Sequence, residues 1–434
     1  MTSHVPVLRR RRLARTACAA VALVAAASLA PAVPALAGSA KARPAVTNQF
    51  FGVHHQGMHA DGPIGWPQTK VGSVRMWDNR VSWRELETSP GVFNWSLIDT
   101  EMAKARAAGA SVLLVLGQTP AFHSSRPGAA SAYGPGASAM PDKASWVRYV
   151  QAVARRNKAV WGGIASFQVW NEANVIGYWS GTPKQMATLT AWTRAALSSV
   201  SSPATLVAPA LVTRLSSQQT WINSFYSQQV GGKNVSRYVD ALSFQLYPVA
   251  SGSPESSMQL LAAIRKILAK HSVAKPIWNT EVNYGMVGGA IQGAPITADR
   301  QVANVIRTYV LNAENGVSRV YWYSWDLQDM GNTRMVDPDR ITLTSAGKAF
   351  GAVRTWLVGA RPTGCTRASN GTYTCAFTTA TQTRRVVWNP STATTVTLPA
   401  GSPSVATWST SALRAPGGSR QAVGPVPVLV TTPR

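Results

Sequence analysis

Acidic residues are scarce in this chain. Among 434 residues only 17 are Asp or Glu, against 42 Lys and Arg, so the formal charge is +25. Histidine is scarce at 6 and cysteine nearly absent at 3. His54-His55 is the only adjacent histidine pair, and no His/Cys spacing resembles a zinc site, so no metal centre is predicted. No run beyond the first 37 residues is apolar enough to cross a bilayer on the ~20 residues a helix needs. The basic residues are scattered, with no motif and no aromatic-interleaved cluster, which excludes a nucleic-acid reader. No glycine-rich phosphate loop follows the first strand-like run, and no cofactor is expected.

Residues 1–37 read as a secretory leader. Arg9 to Arg12 and Arg15 form a charged n-region, Ala17 to Ala30 a short apolar core, and Ala35-Leu36-Ala37 a small-residue cleavage site before Gly38. The protein is therefore expected to be secreted, with cleavage after Ala37. Removing the five leader arginines leaves a charge of +20. Such a chain suits an anionic polymer, an acidic or cell-wall polysaccharide, unless the charge serves solubility alone. Export would leave Cys365 and Cys375 in an oxidising compartment. They flank Asn370-Gly371, a strong hairpin-turn signal, so a disulfide across a β-hairpin is predicted.

Residues 38–47 read as a linker. From there strand-like apolar runs alternate with helical patterns, the signature of a parallel α/β fold. Eight strands are predicted, over 50–53, 73–77, 111–116, 166–171, 205–209, 240–247, 276–281 and 319–324. Asn94 is expected to cap a helix running to Gly109. Thr182-Pro183-Lys184-Gln185 is a capping box with proline at the first helical position, and Thr297 starts a helix stopped at Gly316. Eight units within 48–360 fit a (β/α)8 TIM barrel better than a doubly wound sheet. Beyond 360 the text turns to Thr, Ser, Val and Gly in short alternating runs. A small antiparallel β-domain is predicted over 361–415, as a separate module or packed on the barrel, then a flexible tail over 416–434. Residues 124–141, rich in Gly, Ala, Ser and Pro, follow the third strand and are expected to form a mobile loop at the rim.

Two runs carry the chemistry. Val169-Trp170-Asn171-Glu172-Ala173-Asn174 and Pro276-Ile277-Trp278-Asn279-Thr280-Glu281 are apolar stretches that end in glutamate before loop-like sequence. At ~30–40 residues per β/α unit their spacing of 109 residues suits strands four and seven, whose ends face each other across a barrel mouth. A facing carboxylate pair is the minimum apparatus for cleaving a glycosidic bond.

Trp170-Asn171-Glu172 and Asn279-Thr280-Glu281 resemble the acid/base and nucleophile motifs of clan A glycoside hydrolases. Val74-Arg75, and Ser82-Trp83-Arg84-Glu85-Leu86-Glu87 leading to Pro90-Gly91-Val92-Phe93-Asn94-Trp95, are similar to that clan as well. The likeness is to family 39-like or family 5-like members and covers Gln49 to about Ala360. Ala173 departs from it, standing where many relatives have proline. The resemblance implies a retaining mechanism, with Glu172 as acid/base, Glu281 as nucleophile, and the Asn171 amide bonding the sugar 2-hydroxyl. A carbohydrate substrate follows. A transglycosylase on the same site and a non-catalytic carbohydrate-binding protein are the alternatives.

Neighbouring residues acquire roles from position. Arg75 at strand two can hold Glu281 ionised. Tyr247 at the end of strand six can donate to the nucleophile. Trp325, just after strand eight, fits the floor of the sugar site, with a core tryptophan as the alternative. Alternation lets only one of His54 and His55 point into the mouth. His123 can line the site, and Trp66, Trp77 and Trp179 are outer-subsite platforms or packing.

Overall fold

The computed structural model describes residues 43–285, 296–327 and 331–434. The expected leader and half of the expected linker, residues 38–42, lie outside them. Eight parallel strands build the barrel: β1 Phe51–Val53, β2 Ser73–Met76, β3 Ser111–Leu116, β4 Ile164–Val169, β5 Thr205–Val207, β6 Leu242–Gln245, β7 Ile277–Val282 and β8 Val317–Trp322. Each pairs with its sequence neighbour from β1 to β5 and from β6 to β8, and β8 pairs with β1. The remaining seam closes through the parallel bridge Val207–Ala241 and a short extension, Leu211–Val212, beside β6. Glycine 52 is required inside β1, because a Cβ there would stand 2.5 Å from the Tyr321 ring.

Seven long helices cover the strands: α1 Ser96–Ala107, α2 Lys143–Arg156, α3 Pro183–Ser199, α4 Ser216–Tyr226, α5 Pro254–Lys270, α6 Ala298–Glu314 and α7 Ser345–Leu357. Between β1 and β2 the crossover is made by short 3-10 turns instead. The expected caps at Thr182 and Thr297 are present, whereas α1 has Trp95 at its N-cap and Asn94 one residue before it. Asn94 Oδ1 accepts from Ser96 N at 3.1 Å, and Thr182 and Gln185 exchange side-chain-to-backbone bonds at 3.2 and 2.8 Å. In α2 the buried Trp146, Tyr149, Val150 and Val153 recur at helical spacing, so one face turns to the sheet. Helix α6 is buried on every side from Val302 to Glu314, because barrel strands cover one face and the C-terminal domain the other.

The C-terminal domain contains β9 Arg361–Arg367, β10 Tyr373–Thr378, β11 Gln382–Trp388, β12 Thr394–Thr397, β13 Ser404–Ala406, β14 Leu413–Arg414, β15 Arg420–Val423 and β16 Val428–Pro433. Its main antiparallel sheet runs β9-β10-β11-β16-β13-β14, and β12 pairs with β15. Cys365 and Cys375 are opposite each other in the β9–β10 hairpin, disulfide-bonded with Cα atoms 4.0 Å apart, and Gly371 takes φ +87° in the turn. The domain packs on the barrel: Trp388 Nε1 donates to Glu255 Oε1 at 3.0 Å, and Arg384 to the Trp356 carbonyl at 2.8 Å.

Two expectations are corrected. Residues 416–434 are not a flexible tail. Val428, Leu429 and Val430 are buried, and their apolar run places β16 inside the sheet between β11 and β13. The linker does not extend to residue 47 either, since Val46 exchanges backbone bonds with residues 359 and 360, and Arg43 pairs with Glu314 at 3.1 Å.

Candidate active site

Period-2 alternation points Arg75, Gln168, Ser243 and Thr280 into the upper barrel, above an apolar layer of Leu113, Val207, Ala241, Trp278 and Tyr321. The polar layer is knitted together. Gln168 Nε2 donates to Ser243 Oγ at 2.6 Å, which lies 2.6 Å from Thr280 Oγ1. Its hub is Arg75, fully buried. Nε donates to Gln168 Oε1 at 2.7 Å, one terminal nitrogen to Glu281 Oε1 at 2.5 Å, and the other to Asn171 Oδ1 at 2.7 Å. Gln245 also donates to Asn171 Oδ1, at 3.1 Å, so the amide oxygen is committed and the amide nitrogen is left as donor.

Both glutamates escape strict alternation by local backbone irregularity. The pairing register of β7 shifts between Asn279 and Val282, and such a bulge re-aims a side chain, here Glu281. At β4 the strand stops at Val169, and Trp170 (φ +69°) and Glu172 (φ +45°) take left-handed backbone. That conformation is costly for non-glycine residues and clusters at functional sites. It lets the adjacent Asn171 and Glu172 both address the mouth.

The two carboxyls differ in their partners. Glu281 is buried and receives Arg75 at Oε1 and the Tyr247 hydroxyl at Oε2, 3.0 Å away. Glu172 is half-buried, and among the described residues none hydrogen-bonds its carboxylate. Burial, then the charge of Glu281, pushes Glu172 up to about 8. Burial also raises Glu281, to about 7, but Arg75 and the Tyr247 hydrogen bond restrain it. Arg214, half-buried after the Leu211–Val212 extension, favours the charged form of Glu172.

His54 is the histidine in the mouth. Its ring meets Tyr323 edge-on at 4.9 Å, and Nε2 lies 3.0 Å from the Thr280 carbonyl and 3.4 Å from a terminal nitrogen of Arg75. Burial and then Arg75 hold its pKa well below the usual histidine range, so the ring is neutral. His55 turns away, to the Ile64 carbonyl at 2.8 Å and to Asp326.

Other expectations are revised. Trp325 is not the floor of the site: it is 1% exposed and packs edge-on against Phe350 of α7, in the apolar layer outside the barrel. Tyr323, two residues earlier, presents the aromatic ring beside His54. His123 is stacked on Trp83 and bonded to Glu87 at 3.0 Å, within the β2–β3 packing. Trp179 is buried against Trp170, Trp77 is buried with its N–H on the Tyr133 hydroxyl, and Trp66 is partly buried against the core. Residues 124–141 are pinned, not loose: backbone bonds join Ala132 to Gly177 and Ser180 to Ser138, both at 2.9 Å.

Asp78, one residue past Trp77 after β2, escaped the sequence reading. Its two oxygens accept from Tyr133 at 2.9 Å and from Tyr323 at 2.8 Å. An acid three residues beyond Arg75, in so acid-poor a chain, was the available signal. Among the described residues no group of three or more His, Cys, Asp or Glu is placed to hold a metal ion, and no helix is long and apolar enough to cross a membrane.

No protein-family model and no curated protein matches this chain. Solved structures do. A family 39 glycoside hydrolase from the gut symbiont Bacteroides cellulosilyticus WH2 superposes with a TM-score of 0.65 at 15% identity, over 89% of this chain and 82% of that one. A monomeric beta-xylosidase from Caulobacter crescentus CB15 gives 0.62 at 14% identity, over 90% and 97%. A GH30 endoxylanase from Clostridium papyrosolvens C71 gives 0.60 at 14% identity, over 91% and 98%. At these identities the shared property is the fold, a parallel barrel accompanied by an antiparallel β-domain.

Proposed function

We propose that the chain is an exported retaining glycoside hydrolase, cleaving O-glycosidic bonds of a poly- or oligosaccharide, with Glu281 as nucleophile and Glu172 as acid/base. The observation that carries the reading is the unequal treatment of two glutamates at one barrel mouth. Glu281 has a guanidinium and a phenol on its oxygens, partners that favour a carboxylate. Glu172 has neither, and the neighbouring charge favours its protonated form.

The chemistry follows from that inequality. The Glu281 carboxylate attacks the anomeric carbon as the bond to the leaving oxygen breaks, and that oxygen takes the Glu172 proton. The glycosyl ester on Glu281 is then cleaved by water, whose proton returns to Glu172 while its oxygen bonds the anomeric carbon. The Asn171 amide nitrogen suits the sugar 2-hydroxyl, and neutral His54 adds no charge to the pocket. Export rests on the leader sequence, with cleavage after Ala37.

The test is a panel of aryl glycosides and polysaccharides, with the anomer of the first-formed product read by NMR. Retention of configuration is expected, and an inverted first product would refute the assignment. A carbohydrate-binding protein without activity would retain polysaccharide while releasing no aryl group from any member of the panel.

A further inference from the structure

Asp78 brings a third carboxylate to the mouth, and the double displacement does not use it. It raises the pKa of both Glu172 and Glu281, so it lies within electrostatic reach of each. Its setting is built. The Tyr133 hydroxyl donates to Oδ1 while accepting from Trp77 Nε1 at 2.7 Å; the Tyr323 hydroxyl donates to Oδ2 while accepting from Gln56 Nε2 at 3.4 Å. Both phenols are thereby oriented as donors, which makes Asp78 an acceptor at each oxygen. A carboxylate oxygen can take two hydrogen bonds, and here each receives one from the protein. Asp78 is half-buried, and each oxygen keeps capacity for one further donor.

Position assigns the occupant. Glu172 protonates the oxygen that leaves, so the leaving group departs past β4 toward β5 and β6. Asp78 follows β2 and Tyr323 follows β8, the two strands flanking β1, on the other side of Glu281. On the proposed roles of the two glutamates that sector is left to the glycone. It is walled by Tyr133, whose ring lies 5.4 Å from Trp77 and 5.5 Å from Tyr178, and Arg126 ties the same segment to the Ser180 carbonyl at 2.9 Å. The β5 and β6 loops instead present half-buried Arg214 and exposed Leu215 and Val249.

Resting on the glycosidase reading above, we propose that Asp78 recognises the glycone by accepting from two adjacent hydroxyls of a neutral terminal sugar, in a site that Tyr133 closes so that cleavage proceeds from chain ends. A uronic acid is rejected there, because its carboxylate would face Asp78 as well as Glu281. Any attraction of the basic surface for an anionic polymer would then act outside the glycone site.

The experiment uses the full chain with neutral aryl glycosides, the matching aryl uronides, monodeoxy analogues and the oligosaccharide of any sugar that is cleaved. Wild type is expected to cleave neutral glycosides, spare uronides and release only monosaccharide. Asp78→Asn should lower kcat/KM about 10- to 100-fold, the scale of lost charged hydrogen bonds. Deleting either recognised hydroxyl from the substrate should cost wild type a similar factor and cost Asp78→Asn little more. A residue that merely supports the fold would not show that coupling. Tyr133→Ala should open the wall and allow disaccharide release. Equal deoxy penalties in wild type and Asp78→Asn, uronide cleavage, or internal cutting by wild type would overturn the proposal while leaving the glycosidase reading intact. Hydrolysis that survives Glu281→Ala would remove that reading itself.

Discussion

The ends of β4 and β7 place the same side chain at the same height of one barrel and give it opposite surroundings. Glu281 is clamped from two strands, by Arg75 of β2 and by Tyr247 after β6. Glu172 is supported only through its backbone, held in left-handed conformation. A carboxylate's role is thus set less by its own strand than by which other strands reach it. Burial raises both groups, and the cation and phenol separate them, so the proton resides preferentially on Glu172.

The largest effect should come from removing the clamped member. Glu281→Gln should reduce turnover on the order of 10⁴-fold or more on every substrate, since no glycosyl ester can form. Steady-state and burst kinetics would check this. Glu172→Ala should be graded instead. Substrates with poor leaving groups should lose about 10²- to 10⁴-fold, whereas an activated aryl glycoside should still release its aryl group in the first step. Added azide should then restore turnover and give a glycosyl azide of retained configuration. Equal losses from both variants on activated substrates would erase the distinction drawn here.

The clamp itself can be weakened. Arg75 lowers the pKa of Glu281, so Arg75→Met should raise it and move the acid limb of the pH–rate profile upward. It should also cost about 3–5 kcal/mol of stability by leaving a buried carboxylate unpaired, measurable by denaturant unfolding. On the proposed mechanism the active form has Glu281 ionised and Glu172 protonated. The bell is therefore expected to have limbs near 7 and 8, values that belong to the coupled pair. Tyr247→Phe removes one charged hydrogen bond, so the same limb should move upward by less, with about a 10-fold loss in kcat/KM. Smallest for activity is the distant disulfide. Cys365→Ser with Cys375→Ser should lower stability by roughly 2–3 kcal/mol and leave kcat unchanged.

The strands were legible because fully buried parallel strands announce themselves as apolar runs, and Glu172, Glu281 and Arg75 follow from where those runs end. Helix caps were legible because they depend on three or four adjacent residues. What failed depends on which way a side chain turns after a strand has stopped. Trp325 and Tyr323 are two residues apart beyond β8, and only packing against Phe350 decides which ring is withdrawn. Asp78 was passed over, and residues 124–141 were misjudged, for a related reason. Gly, Ala and Ser composition suggests freedom, but order there comes from Tyr133 reaching another strand. The C-terminal segment was read from its Pro and Gly content, which outweighed the short buried run Val428-Leu429-Val430.

That last run also fixes a sequence of events. Because β16 lies between β11 and β13, the principal sheet of the C-terminal domain cannot be completed until residues 428–433 have left the ribosome. Until then, β11 and β13 lack the partner that joins them, and the outer face of α6 lacks its finished cover. The disulfide hairpin, whose two strands are adjacent in sequence, has no such wait. Local pairing is therefore available early and the central pairing only after residues 428–433 have emerged, the order that topology imposes on non-local contacts. Until β16 emerges, the nascent chain carries two unpaired strand edges and depends on whatever shields them from other chains.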